Sequence, residues 1–188
     1  MEIKGYKPLY GNRTDRSGVL YEEGKDYHVD GPIAFGPNKN GMRMCVHLSD
    51  VFRFFDPEDI TVAEVIASGE LDEGEYHDWQ ESYTEMYAAS DIHVNRFLSR
   101  EEIMEIMKNA SPSDVVKFFA TYNPTEEEAL DIVRSTKDKD FYNTAKMAYL
   151  YFVKKFNIYA VSDLDEKRRI LEKVLDNGQD SNQRSKGK

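Results

Sequence analysis

The chain has 188 residues, 40% hydrophobic and 12% aromatic, which supports a packed core and excludes a globally disordered chain. Its net charge of −10 lies wholly in residues 1–98, which hold 9 Lys and Arg against 19 Asp and Glu, whereas residues 99–188 hold 16 of each. Such an acidic half repels phosphate backbones, no apolar run nears the roughly 20 residues of a membrane helix, and the start MEIKGYKPLY lacks a signal peptide's basic and apolar regions; a soluble cytoplasmic protein that does not bind nucleic acid directly is expected.

In chain order, EIKGYK reads as a short strand and YGNRTDRSGV as a turn-rich loop. VLYEEGKDYHV is extended chain broken at Gly24, with Tyr21, Tyr27 and Val29 as packing residues. DGPIAFGPNKNG is loop and MRMCV a strand. Ser49 is placed to cap a short helix that buries Val51, Phe52 and Phe55. ITVAEVIASG is a strand rich in β-branched residues, expected to end at Gly69. From Tyr76, aromatics at 76, 79, 83 and 87 follow helical spacing. ASDIHVNRFL then alternates as another strand.

The second half is helical in pattern. Ser99 with Glu102 and Thr125 with Glu128 fit capping boxes. Ser111-Pro112 gives an N-cap followed by proline at the first helical position, and Ser162 with Asp165 is a further start signal. Helices are expected at about 100–109, 112–122, 125–136, 139–156 and 163–176. The polar tail NGQDSNQRSKGK is expected to be disordered. The resulting expectation is an α+β chain: a small mixed or antiparallel sheet with short helices over 1–98, packed on a helical bundle over 99–177, with a tail at 178–188.

The charge is concentrated further. Between Arg53 and Arg96, 42 residues contain no Lys or Arg and 12 Asp and Glu. At its centre, GELDEGEYHDWQE carries Glu70, Asp72, Glu73, Glu75, Asp78 and Glu81 around His77 and Trp79. These carboxylates suit a basic partner surface, and Trp79 suits either an interface anchor or a buried pin that holds the segment to the body. Asp72, Glu73, Glu75, His77 and Asp78 have the donor types for a hard cation but not the spacing of a calcium loop. His28, His47, His77 and His93 show no metal-ligand spacing, and no metal is expected. The single cysteine, Cys45, stands two residues before His47 in a strand pattern, as a nucleophile pair would, but a lone cysteine in an apolar strand is more often a small buried core residue. Arg13 and Arg16, in the loop YGNRTDRSG, are candidate anion ligands.

The ordered motifs KGYK, LYEEGKDYHVDGPI, NGMRMCVHLSDVFRFF and VAEVIASGEL resemble an uncharacterised bacteriophage and mobile-element domain family over residues 3–71. In that family a histidine usually stands two residues before the cysteine, where this chain has Arg43. The resemblance implies a phage or mobile-element origin and action on host factors. The strand-then-aromatic-helix unit, a Glu-Val strand and Glu73-Gly74-Glu75 also resemble, more loosely, the ADP-ribosyltransferase fold. That resemblance implies NAD as cofactor, with Glu75 stabilising a ribosyl cation beside Glu73. The leading expectation is a non-enzymatic, phage-type protein without cofactor. Its acidic surface would engage a basic host nucleic-acid-binding protein, such as a CRISPR or other defence factor, and inhibit it.

Overall fold

A computed structural model of the chain describes residues 1–36, 38–54, 59–77, 83–122 and 124–135. The chain divides into two compact units, Met1–Ser99 and Arg100–Lys188.

In the first unit, five strands form one antiparallel sheet: β1 (Ile3–Tyr10), β2 (Asp26–His28), β3 (Met42–Cys45), β4 (Ile60–His77) and β5 (Tyr83–Phe97). A one-turn helix, α1 (Leu48–Val51), follows β3. β4 and β5 are the long strands, 18 and 15 residues, and pair with each other from Ala63–Phe97 to His77–Tyr83. β1 covers the outer edge of β4 from Ile60 to Ala67. The other edge of β5 pairs first with β3 and then with β2. β3 also meets β1, at Cys45 and Tyr6. The pairings β1–β4–β5–β3–β1 therefore close on themselves, which protects most of their edges.

Alternation builds the core inside this ring. Gly5, Lys7 and Leu9 of β1 are buried while the residues between them are only partly covered. Leu9 joins Tyr21, Met42, Met44, Ala63, Val65, Ala67, Ala89, Ile92 and Val94 in one apolar cluster. Lys7 enters the same space. Its Nζ donates to the Arg43 carbonyl at 3.1 Å and lies 3.9 Å from Asp15 and 5.0 Å from the centre of the Tyr21 ring. Burial pulls the Lys7 pKa down to about 8, against the opposing pull of Asp15. The Asp15 carboxyl is itself pushed up by burial. The Ser17 hydroxyl, the Lys7 charge and two backbone N–H groups outweigh this and hold it below its ordinary value.

Three strand-region expectations change. β4 does not end at Gly69; it passes through a register irregularity between Ser68 and Leu71. Gly69 takes φ +74° there, and a Cβ on it would meet Asp91 and Ser90. Residues 76, 83 and 87, read as one helical face, lie in the paired strands β4 and β5. A spacing of 3, 4 and 4 over so few residues does not outweigh a ladder that also buries Thr84, Met86 and Ala88. Trp79, the fourth residue of that pattern, lies outside the described residues. α1 starts after His47, not Ser49, although Val51 and Phe52 are buried as expected, and Phe55 lies outside the described residues.

In the second unit the described helices are α2 (Arg100–Lys108), α3 (Pro112–Tyr122) and α4 (Glu126–Ser135). Their starts follow the sequence signals. The Asp114 N–H donates to Ser111 Oγ at 3.2 Å, just before α3. At α4 the box is reciprocal, with Thr125 N–H on Glu128 Oε2 at 2.7 Å and Glu128 N–H on Thr125 Oγ1 at 3.2 Å. Glu128 also holds Arg100 in a two-pronged pair, Nε–Oε1 2.6 Å and Nη2–Oε2 2.7 Å, and Lys108 meets Asp131 at 2.6 Å, so α2 and α4 are neighbours. The expected helices at 139–156 and 163–176, and the tail, lie outside the described residues. The expected architecture, a small sheet packed on a C-terminal helical bundle, is overturned. The described residues are mainly a five-stranded antiparallel sheet with a few short helices, and no C-terminal bundle is seen among them. The described ends of the segment read as a helix, residues 76–77 and 83–87, are strand, and β4 and β5 are the longest described elements. No described helix is long and apolar enough to cross a membrane.

Candidate functional site

The acidic segment lies largely on β4 beyond the bulge. The register sets Glu73 opposite Tyr87 and Glu75 opposite Glu85. Glu70 and Glu73 are exposed, and among the described residues no cation lies within ion-pair reach of either. Asp72 does a different task. Its Oδ2 accepts the Phe35 N–H at 2.6 Å, a charge-assisted bond that pins the loop before β3 onto β4. The Phe35 ring then covers Gly74, where a Cβ would stand 2.0 Å from ring carbons. Arg43 completes this clasp, 5.8 Å from the Phe35 ring centre and donating to the Gly36 carbonyl. Asp78, Trp79 and Glu81 lie outside the described residues, and Glu75 is placed by its backbone register. The expected acidic set is therefore divided: Glu70 and Glu73 are exposed, and Asp72 is engaged internally.

The loop with the anion-ligand candidates is organised by its own carboxylate. Asp15 Oδ1 accepts the N–H of Ser17 at 2.9 Å, the N–H of Val19 at 3.2 Å and the Ser17 hydroxyl at 2.6 Å. These are the donors an external anion would have used. Arg13, at φ 66°, lies 4.4 Å over the Phe97 ring, and Arg16 donates to the Phe54 carbonyl at 3.1 Å. The two guanidinium groups thus go to separate partners within the fold.

A second polar group, unforeseen from the sequence, forms where β2 meets β5. Asp26 pairs with His93 and His28 with Asp91 across the ladder. Both contacts are short: His93 Nδ1–Asp26 Oδ1 2.7 Å and His28 Nδ1–Asp91 Oδ1 2.7 Å. The other ring nitrogen of His28 lies 3.3 Å from Asp30. Ser90 Oγ donates to Asp91 Oδ2 at 2.5 Å and accepts the Glu70 N–H at 2.9 Å. The hydrogen bond to Asp91, above all, raises the His28 pKa; the Ser90 bond, then the His28 bond, lowers that of Asp91. Ser90 contacts the carboxylate rather than the imidazole, so this chain of bonds does not activate a serine nucleophile. Its signal was present in the sequence as two D-x-H tripeptides, Asp26-Tyr27-His28 and Asp91-Ile92-His93. Paired antiparallel, they match acid to base at both positions.

Among the described residues, no group of three or more His, Cys, Asp and Glu is arranged to hold a metal ion. Cys45 is fully buried, as the apolar strand reading expected. His47 precedes α1, and its Nε2 lies 3.9 Å from Glu85 Oε2.

No curated protein and no solved structure matches the chain. A family model described as a domain of unknown function, DUF7666, matches residues 3–105. The match takes in all five strands, the loop clasp, the D-x-H ladder and the start of α2, and it names neither a phage origin nor an ADP-ribosyltransferase likeness. More than half of the chain lies within that match, and the protein belongs to the DUF7666 family.

Proposed function

We propose that this protein is a non-catalytic interaction protein whose acidic β4 segment docks on a basic surface of a nucleic-acid-binding protein and competes with nucleic acid there. The observation that carries the reading is the pair Glu70 and Glu73, exposed on a strand with no described cation beside them, in a window of 42 residues without Lys or Arg. Carboxylates so placed present the charge that Lys and Arg of such a protein meet on a phosphate backbone. The motif order of residues 3–71 supports a bacteriophage or mobile-element setting, in which host defence factors are targets.

The test is affinity capture from a bacterial host lysate at low salt, followed by competition. A captured protein that duplex DNA displaces, and that Glu70→Lys with Glu73→Lys fails to retain, supports the reading. A captured protein that stays bound in excess DNA, or that the double variant retains equally, contradicts it. The rival reading, ADP-ribosyl transfer through Glu73 and Glu75, requires that incubation with NAD and lysate labels a macromolecule and that Glu75→Gln abolishes the label.

A further inference from the structure

We infer that the outer edge of β4 beyond the bulge takes an extended, Lys- or Arg-rich segment of another protein as an added antiparallel strand. This rests on the acidic docking reading above and names how the partner is held. β1 covers that edge only as far as Ala67. Among the described residues, Ser68 and Leu71 to His77 pair with β5 alone, on the inner edge of β4. A strand edge left in this state offers a row of backbone donors and acceptors to another chain. Phe35 does not block it. The ring covers a face of the strand at Gly74, and the Phe35 N–H bonds the side chain of Asp72, not the β4 backbone. An aromatic ring over a strand glycine helps to pin the register there.

Charge decides between occupants. A second copy pairing antiparallel about Gly74 would set Glu73 opposite Glu75, and like charges directly opposite destabilise a ladder. The β5 register likewise sets Glu75 opposite Glu85. A strand with Lys or Arg at alternate positions instead gains a favourable pair at Glu73. Extended basic arms of that composition are what nucleic-acid-binding proteins lay along phosphates.

The experiment uses the full chain and three capped peptides of about eight residues: alternating Lys and Thr, the same peptide N-methylated along one edge, and alternating Glu and Thr. Backbone amide hydrogen exchange and titration by NMR read the result. The Lys/Thr peptide is expected to slow exchange within residues 68–77, and N-methylation to weaken binding about tenfold or more. The Glu/Thr peptide is expected not to bind. Equal, salt-sensitive binding of the methylated and unmethylated peptides overturns strand addition while leaving acidic docking intact. Protection by the Glu/Thr peptide removes charge selection and sinks both. No protection of the edge amides by millimolar Lys/Thr peptide overturns the inference, as does protection of that edge by self-association without peptide.

Discussion

At the scale of single residues, Lys7 is the clearest conflict between chemistry and place. It occupies an inward position of β1 among apolar side chains, and burial lowers its pKa from 10.5 to about 8. The folded state therefore binds fewer protons than the unfolded state between those values, and stability rises with pH across that window. Lys7→Met is expected to raise stability at pH 7 by about 1–3 kcal/mol, measured by urea unfolding, with the gain shrinking from pH 8 to 10. A gain that stays constant across that range would show that the charge of Lys7 is not what burial opposes. His28 behaves in the opposite sense. Its pKa is raised above 6.5, so the stability from its pair with Asp91 is full below 6.5 and is lost as pH rises through the raised value. Ring titration by NMR is expected to place His28 above 6.5, and Asp91→Asn to bring it back towards that value. Residues like these were the least legible in the sequence. Lys7 alternates correctly for an inward position, but nothing local says that Arg43 and Asp15 will be there to receive it. The D-x-H tripeptides became readable only once the register of β2 on β5 was known.

At the scale of elements, the signals that work are those that operate within a few residues. The Thr125–Glu128 box and the Ser111-Pro112 cap marked α4 and α3 because both partners lie within one turn. The Glu128 carboxyl, bound first by Arg100 and then by Thr125, is lowered to about 2. Its contribution is therefore full above 4.5 and lost as pH falls towards 2. Glu128→Gln is expected to cost about 1–3 kcal/mol, read as a lower helix melting temperature by circular dichroism at pH 7, with the difference from the parent narrowing near pH 2. A melting temperature unchanged at pH 7 would remove the charge of the Arg100 fork from the account, since glutamine still accepts the Thr125 N–H. Signals that depend on distant pairing fail. Gly69 reads locally as a strand end, yet pairing with β5 carries β4 eight residues further, to His77. Gly69→Ala puts a Cβ against Asp91 and Ser90 at a positive φ. It is expected to destabilise the fold by about 1–3 kcal/mol, measured as a lower urea midpoint with an unchanged slope. An unaltered midpoint would mean that the bulge is not strained there.

At the scale of the whole molecule, the uneven charge is legible from composition, and the sheet shows how part of it is used. Several acids of the first unit have internal partners: Asp15 with Lys7, Glu64 with Arg96, Asp26 and Asp91 with histidines, Asp72 with a backbone N–H. Glu70 and Glu73 remain exposed on β4, and these are the residues on which the functional reading turns. The most direct measurement is the rate at which the captured basic partner associates with the full chain, followed by stopped flow from low to high salt, for the parent and for Glu70→Lys with Glu73→Lys. The parent rate is expected to fall at least tenfold between about 0.01 and 0.5 M salt, and the double variant to be slow and nearly insensitive to salt. Equal rates for parent and variant, or a parent rate independent of salt, would contradict an acidic strand that steers its partner.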